Sequence, residues 1–115
     1  MITTDIGIIG AGPAGLFAVF EAGLLKMRCH LIDSLPQTGG QLSEIYPQKP
    51  IYDIPGYPAI NAQELADNLM EQIAPFHPGF TLGERVETFQ KLEDETWLIT
   101  TSDGTEINCK AVVIA

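Results

Sequence analysis

Gly10-Ala11-Gly12-Pro13-Ala14-Gly15 restricts this chain's fold more than any other segment. The glycines keep the spacing GxGxxG. They stand between an isoleucine-rich run, Thr4 to Ile9, and an apolar run, Ala14 to Met27. The first run reads as a buried strand and the second as a helix. Gly10 permits a tight turn, Gly12 lets the main chain come close to a ligand, and Gly15 lets the helix pack onto the strand. Pro13 suits the first helical position, where a missing N–H costs little. Arg28 to Asp33 reads as a second strand, completing a βαβ unit with parallel strands.

GxGxxG alone is a weak signal. Here it follows a strand, opens a helix and lies within a βαβ unit, the setting in which it cradles a dinucleotide. The unpaired N–H groups and dipole at the helix N-terminus favour a pyrophosphate there. Asp33 ends the second strand about twenty residues beyond the glycines, where an acid accepts hydrogen bonds from ribose hydroxyls. A carboxylate at that point repels a 2′-phosphate, so the pattern favours FAD or NAD over NADP.

The later chain separates those two. Ser34 to Ile60 carries five prolines, three glycines and all three tyrosines, with no sustained period. At about 27 residues it is long against a usual loop of about 4–6, and loops of that length tend to be functional. It holds a second glycine pair, Gly39-Gly40, and its tyrosines offer flat faces to a ring system. Asn61 to Phe76 reads as an amphipathic helix. Asn61 is its cap, Glu64 completes a capping-box pattern, and Leu65, Leu69 and Ile73 form one stripe. Arg85 to Leu92, Thr96 to Thr101 and Thr105 to Cys109 read as an antiparallel meander, with Trp97 packing inside it. Lys110 to Ala115 reads as a separate central parallel strand, buried on both faces. A strand, helix and strand followed by a loop, a helix and a meander suit a flavoprotein better than an NAD-binding domain, which continues into another βαβ unit.

Charge and composition exclude several classes. The net charge is −9, and the six basic residues are scattered, so neither nucleic acid nor an anionic membrane is an expected partner. The uncharged stretch Ile6 to Phe20 is shorter than the roughly 18 residues of a membrane span, and four glycines and Pro13 interrupt it. Cys29 and Cys109 form no CxxC and no Cys/His cluster, so no metal site is expected, and two buried, reduced thiols fit a cytoplasmic protein. His30 and His77 have no recognisable partner and read as structural.

GAGPAGL, then LID, then SLPQTGGQLSEIYPQKPIYDIPGYP and the helix with QELADNL closely resemble ferredoxin–NADP reductases of the thioredoxin-reductase-like type. The resemblance covers nearly the whole chain. It implies a Rossmann-like α/β FAD-binding fold: a parallel sheet with helices plus an antiparallel β-meander. Residues 1–115 are then the N-terminal part of an FAD-binding domain, stopped in a central strand, with the NADPH domain absent. Gly10, Gly12, Ala14 and Gly15 would hold the pyrophosphate, and Asp33 the adenosine ribose. Gly40, Gln41 and Leu42 would lie along the ribityl chain and flavin. Tyr46 would stack on the isoalloxazine, Asp53 would reach its polar edge, and Val86 would contact adenine. The catalytic group is the flavin and no side chain.

The parent enzyme would pass electrons from NADPH through FAD to ferredoxin or flavodoxin, as a homodimer. At −9, this segment would repel an acidic ferredoxin, which places the docking patch elsewhere in that parent. The absence of thiols after Gly39-Gly40 disfavours glutathione-reductase-type enzymes. A thioredoxin reductase, a catalytically incomplete dinucleotide-binding fragment and an NAD-binding domain of another dehydrogenase stay open.

Overall fold

The computed structural model describes residues 1–40 and 48–115. Among these residues the strands and longer α-helices run in the order β1 (Ile2–Ile9), α1 (Pro13–Leu24), β2 (Cys29–Asp33), β3 (Pro50–Ile51), β4 (Ile60–Asn61), α2 (Ala62–Ile73), β5 (Gly79–Leu82), β6 (Val86–Lys91), β7 (Trp97–Thr101) and β8 (Glu106–Ile114). Six strands make one sheet in the order β5-β2-β1-β8-β7-β6. β5, β2, β1 and β8 run parallel, while β8, β7 and β6 are antiparallel. The α/β class, the parallel sheet and the meander are as the sequence predicts.

Besides the short β3–β4 pair inside the expected loop and a helix α2 that ends at Ile73 and not Phe76, three differences from that reading stand out. β5 was not foreseen. It pairs with β2 at the sheet edge, so α2 is a second crossover and the chain does continue into another parallel strand. What distinguishes the layout from two plain βαβ units is the meander inserted before β8. Second, the strands expected at Thr105 to Cys109 and Lys110 to Ala115 are one. β8 pairs with β1 from Ile107 to Ile114, and its first part also pairs with β7. Beyond Cys109 it has no β7 partner, and no described helix covers it. Val113 is therefore 36% exposed and Ile114 72%, where burial on both faces was expected. Third, α1 stops at Leu24, not Met27. Lys26 adopts a left-handed conformation (φ 62°), with Lys26 N–H donating to Gly23 O and Met27 N–H to Ala22 O. That is a Schellman closure, here with lysine where glycine is usual.

Each face of the sheet has its own core. On one, Ile8 and Leu31 of the strands meet Leu16 and Val19 of α1 and Leu65, Leu69 and Ile73 of α2. Each such buried side chain contributes about 1.5–3 kcal/mol. Asn61 caps α2 as expected, its Oδ1 accepting from Glu64 N–H at 2.7 Å. On the other face Ile32, Ile99, Ile107 and Cys109 pack together, with Trp97 against them. Ile99 belongs to β7, two places from β1 in the sheet order, so the meander curls over this face. A Cβ on Gly7 would lie 2.7 Å from Ile99 Cδ1 and 3.1 Å from Cys109 Sγ. Both cysteines are buried and free, and burial raises both thiol pKa values.

His30 is buried in β2, with Nε2 2.7 Å from Thr81 Oγ1, and its ring occupies the space that a side chain on Gly79 would need. Burial holds its pKa below the ordinary 6.5. The unfolded chain therefore takes up a proton more readily than the folded one, and stability falls as pH drops through 6.5 towards the folded value. Urea midpoints should decline from about pH 7.5 to about pH 5.5, and His30→Gln should flatten that slope. Gly7→Ala is expected to destabilise by about 1–3 kcal/mol in urea denaturation; unchanged stability would mean that Ile99 does not rest over Gly7.

Candidate functional site

The parallel strands β1, β2 and β8 end side by side, and a pocket of about 470 Å³ opens at those carboxyl ends. Open α/β sheets bind ligands at that edge. Gly10 and Gly12 form the pocket's floor beside Asp33, Gly40 joins from the long loop, and Glu84, Arg85 and Val86 form the far wall. Its volume falls in the usual range for small-molecule sites, about 300–1,000 Å³.

The glycines do what their spacing predicts. Gly10 has φ 114°, a conformation other residues rarely adopt, and a Cβ there would fall 2.6 Å from the Ala115 carbonyl oxygen. A Cβ on Gly15 would collide with the Gly10 carbonyl oxygen, so only glycine lets α1 seat this closely. Gly12 caps α1 and Pro13 opens it. The first-turn amides have no partner inside the helix and are free for an anion. The second glycine pair folds against the first. Gly39 N–H donates to Ala11 O at 2.9 Å, and a Cβ on Gly40 would lie 3.3 Å from Gly12 Cα.

Asp33 organises the site before any ligand arrives. Its Oδ2 accepts from Ala11 N–H at 2.7 Å and its Oδ1 from Leu35 N–H at 2.9 Å. An ionised carboxylate offers about four acceptor positions. One therefore ties the glycine turn to the end of β2, one fixes the start of the long loop, and two are left for hydroxyl donors. The far wall is fastened to the end of β2 and the start of the loop, with Gly83 N–H donating to Leu35 O at 2.9 Å and Glu84 N–H to Asp33 O at 3.2 Å. A register shift between Val86 and Thr88 leaves Glu87 as a bulge beside the pocket, where bulges commonly redirect a strand.

Of the residues singled out from sequence, Gly10, Gly12, Asp33, Gly40 and Val86 line this one pocket. Ala14 is exposed in the first turn of α1 and Gly15 is buried beneath the glycine turn. Gln41, Leu42 and Tyr46 lie outside the described residues. Asp53 is exposed and lines neither this pocket nor a second one of about 510 Å³ beside α1 and α2. Sequence reasoning missed Ser34, Leu35, Glu84 and Arg85. Only the position of Arg85 and Glu84 just before Val86 could have pointed to them. Among the described residues no group of His, Cys, Asp and Glu could hold a metal ion, and no helix is long and apolar enough to cross a membrane.

The pocket brings together close-approach glycines at the helix start, an acid already anchored at the end of β2 and a strand edge opposite. Asp33→Asn should cost about 1–2 kcal/mol in urea denaturation, because the amide cannot accept both N–H groups. An unchanged midpoint would show that the two bonds do not hold the turn.

No protein-family model matches the chain. In sequence it is 70% identical over all 115 residues to "Ferredoxin--NADP reductase 1" of Christiangramia forsetii. It is 64% identical, again over its whole length, to "Ferredoxin--NADP reductase" of Flavobacterium johnsoniae. The chain spans 33% of each of these relatives. In structure it matches thioredoxin reductase from Streptococcus pyogenes with a TM-score of 0.83 at 28% identity, covering 97% of this chain and 34% of that one. This chain is thus related in sequence to ferredoxin–NADP reductases over its whole length, and over 97% of it shares its fold with thioredoxin reductase.

Proposed function

We propose that this chain is the FAD-binding part of an NADPH-dependent flavoprotein reductase that delivers electrons to ferredoxin or flavodoxin. The observation that carries the reading is the pocket at the ends of β1, β2 and β8, with the Asp33 carboxylate already anchored to Ala11 and Leu35. The names borne by relatives over the full length of the chain support the choice of acceptor.

In this reading Gly10, Gly12, Ala14 and Gly15 hold the pyrophosphate with main-chain amides, and Asp33 takes the adenosine ribose. Val86 meets the adenine. Gly40, Gln41 and Leu42 follow the ribityl chain, Tyr46 stacks on the isoalloxazine ring and Asp53 serves its polar edge. When bound, FAD supplies the redox chemistry, taking up a hydride and releasing electrons singly. The residues of this chain bind and orient; none acts as a nucleophile. NADPH binding and docking of the acceptor fall to sequence outside these 115 residues, and the homodimer belongs to that whole enzyme. The net charge of −9 agrees with this division, since it would slow the approach of an acidic acceptor.

Relatedness of fold to thioredoxin reductase keeps a thioredoxin-reducing parent as the second reading. The natural polypeptide carrying this sequence should purify yellow and release FAD on denaturation, identified by its absorption spectrum. It should reduce ferredoxin or flavodoxin with NADPH. Release of NAD from a colourless protein would overturn the flavin assignment, and reduction of thioredoxin in place of ferredoxin would overturn the acceptor.

A further inference from the structure

Gly83, Glu84 and Arg85 join β5 to β6 and belong to no strand ladder, since β5 ends at Leu82 and β6 begins at Val86. Strand pairing therefore does not set their position, although they form the pocket wall facing Asp33. Their own hydrogen bonds must do so. On the main-chain side, Gly83 and Glu84 donate to Leu35 O and Asp33 O. On the other side, Arg85 N–H donates to Ser102 Oγ at 3.1 Å and Arg85 O accepts from Ser102 N–H at 2.8 Å.

The Glu84 side chain closes the arrangement. One oxygen, Oε1, accepts from both Thr101 Oγ1 and Thr105 Oγ1, each at 2.6 Å. Thr101 is 3% exposed, and its Oγ1 also accepts from Thr105 N–H at 3.1 Å. Each hydroxyl thus spends its single proton on Glu84. These bonds to the charged form lower the Glu84 pKa, so the group stays anionic. A carboxylate on the wall of a pocket read as taking a polyanion is an electrostatic burden. Here its Oε1 is engaged by two hydroxyls where β7 turns into β8.

We infer that Glu84 is a positioning residue for the nucleotide site: by bridging Thr101 and Thr105 it sets the distance between the Arg85–Val86 wall and Asp33. The role rests on the reading of the pocket given above. It assigns the β7–β8 turn, which touches no ligand in that reading, a part in binding. Charge on the bridge strengthens both hydrogen bonds, while the shared oxygen fixes where the junction sits. Because the bridge fixes where the pocket wall sits, its effect is read in affinity for the adenosine half.

The test uses the natural polypeptide carrying this sequence, stripped of bound nucleotide, with dissociation constants for FAD and for ADP measured well below the thermal midpoint of each variant. Glu84→Ala should weaken both ligands by about tenfold, and Thr105→Val should weaken them by about threefold. Glu84→Gln keeps an Oε1 able to accept both hydroxyl protons, and Thr105→Ser keeps the hydroxyl. Both should bind within about twofold of wild type. If Glu84→Ala does not fold, the Thr105 pair and Glu84→Gln carry the comparison. Equal affinity for wild type and the Glu84→Ala or Thr105→Val variant sinks the role. So does a loss in Glu84→Gln as large as in Glu84→Ala, which would make the charge itself the determinant. Wild-type protein that binds neither FAD nor ADP sinks the reading of the pocket, and this role with it.

Discussion

One carboxylate holds the centre of this molecule together. Asp33 accepts the Ala11 amide with one oxygen and the Leu35 amide with the other, at 2.7 and 2.9 Å. The first bond ties the glycine turn after β1 to the end of β2, and the second starts the long loop in a defined direction. Two further parts of the pocket attach at or beside those points. The second glycine pair hangs from Ala11 through Gly39, and the far wall hangs from Leu35 and Asp33 through Gly83 and Glu84. A charge-assisted hydrogen bond is about twice as strong as a neutral one, which suits a residue asked to join segments far apart in sequence.

Glycine makes that arrangement geometrically possible. Gly10 must take a positive φ, and Gly15 must lie against the Gly10 carbonyl. Gly7 serves a different purpose on the opposite face, where it gives Ile99 and Cys109 room to fold over the sheet. The same backbone feature, a missing side chain, thus supports a ligand turn at one end of β1 and core packing in its middle. Prolines bound the elements around these points: Pro13 opens α1, and Pro75 and Pro78 follow α2.

Much of this was legible from residues near one another in sequence. The strand, turn and helix around GAGPAG follow from local propensity and spacing, and so do the Asn61 cap and the leucine stripe of α2. β5 was not legible, because Gly79-Phe80-Thr81-Leu82 is too short to show a period and becomes a strand only through pairing with β2. The fusion of two expected strands into β8 was hidden for a related reason. One half alternates as antiparallel strands do and the other is apolar throughout, because the two halves have different neighbours. Glu84 gave no local sign, since its partners Thr101 and Thr105 lie on a distant turn.

By itself the sequence determined the βαβ start, the glycine turn and the acid at the end of the second strand. These depend on backbone sterics and helix periodicity, which act over a few residues. Only the tertiary structure decided that Gly40 lies against Gly12, that Asp33 spends half its acceptors on main-chain amides, and that Gly83 to Arg85 become a pocket wall. Those outcomes depend on where strands meet in the sheet. Distance along the chain carries no record of that until hydrogen bonds between remote segments are made.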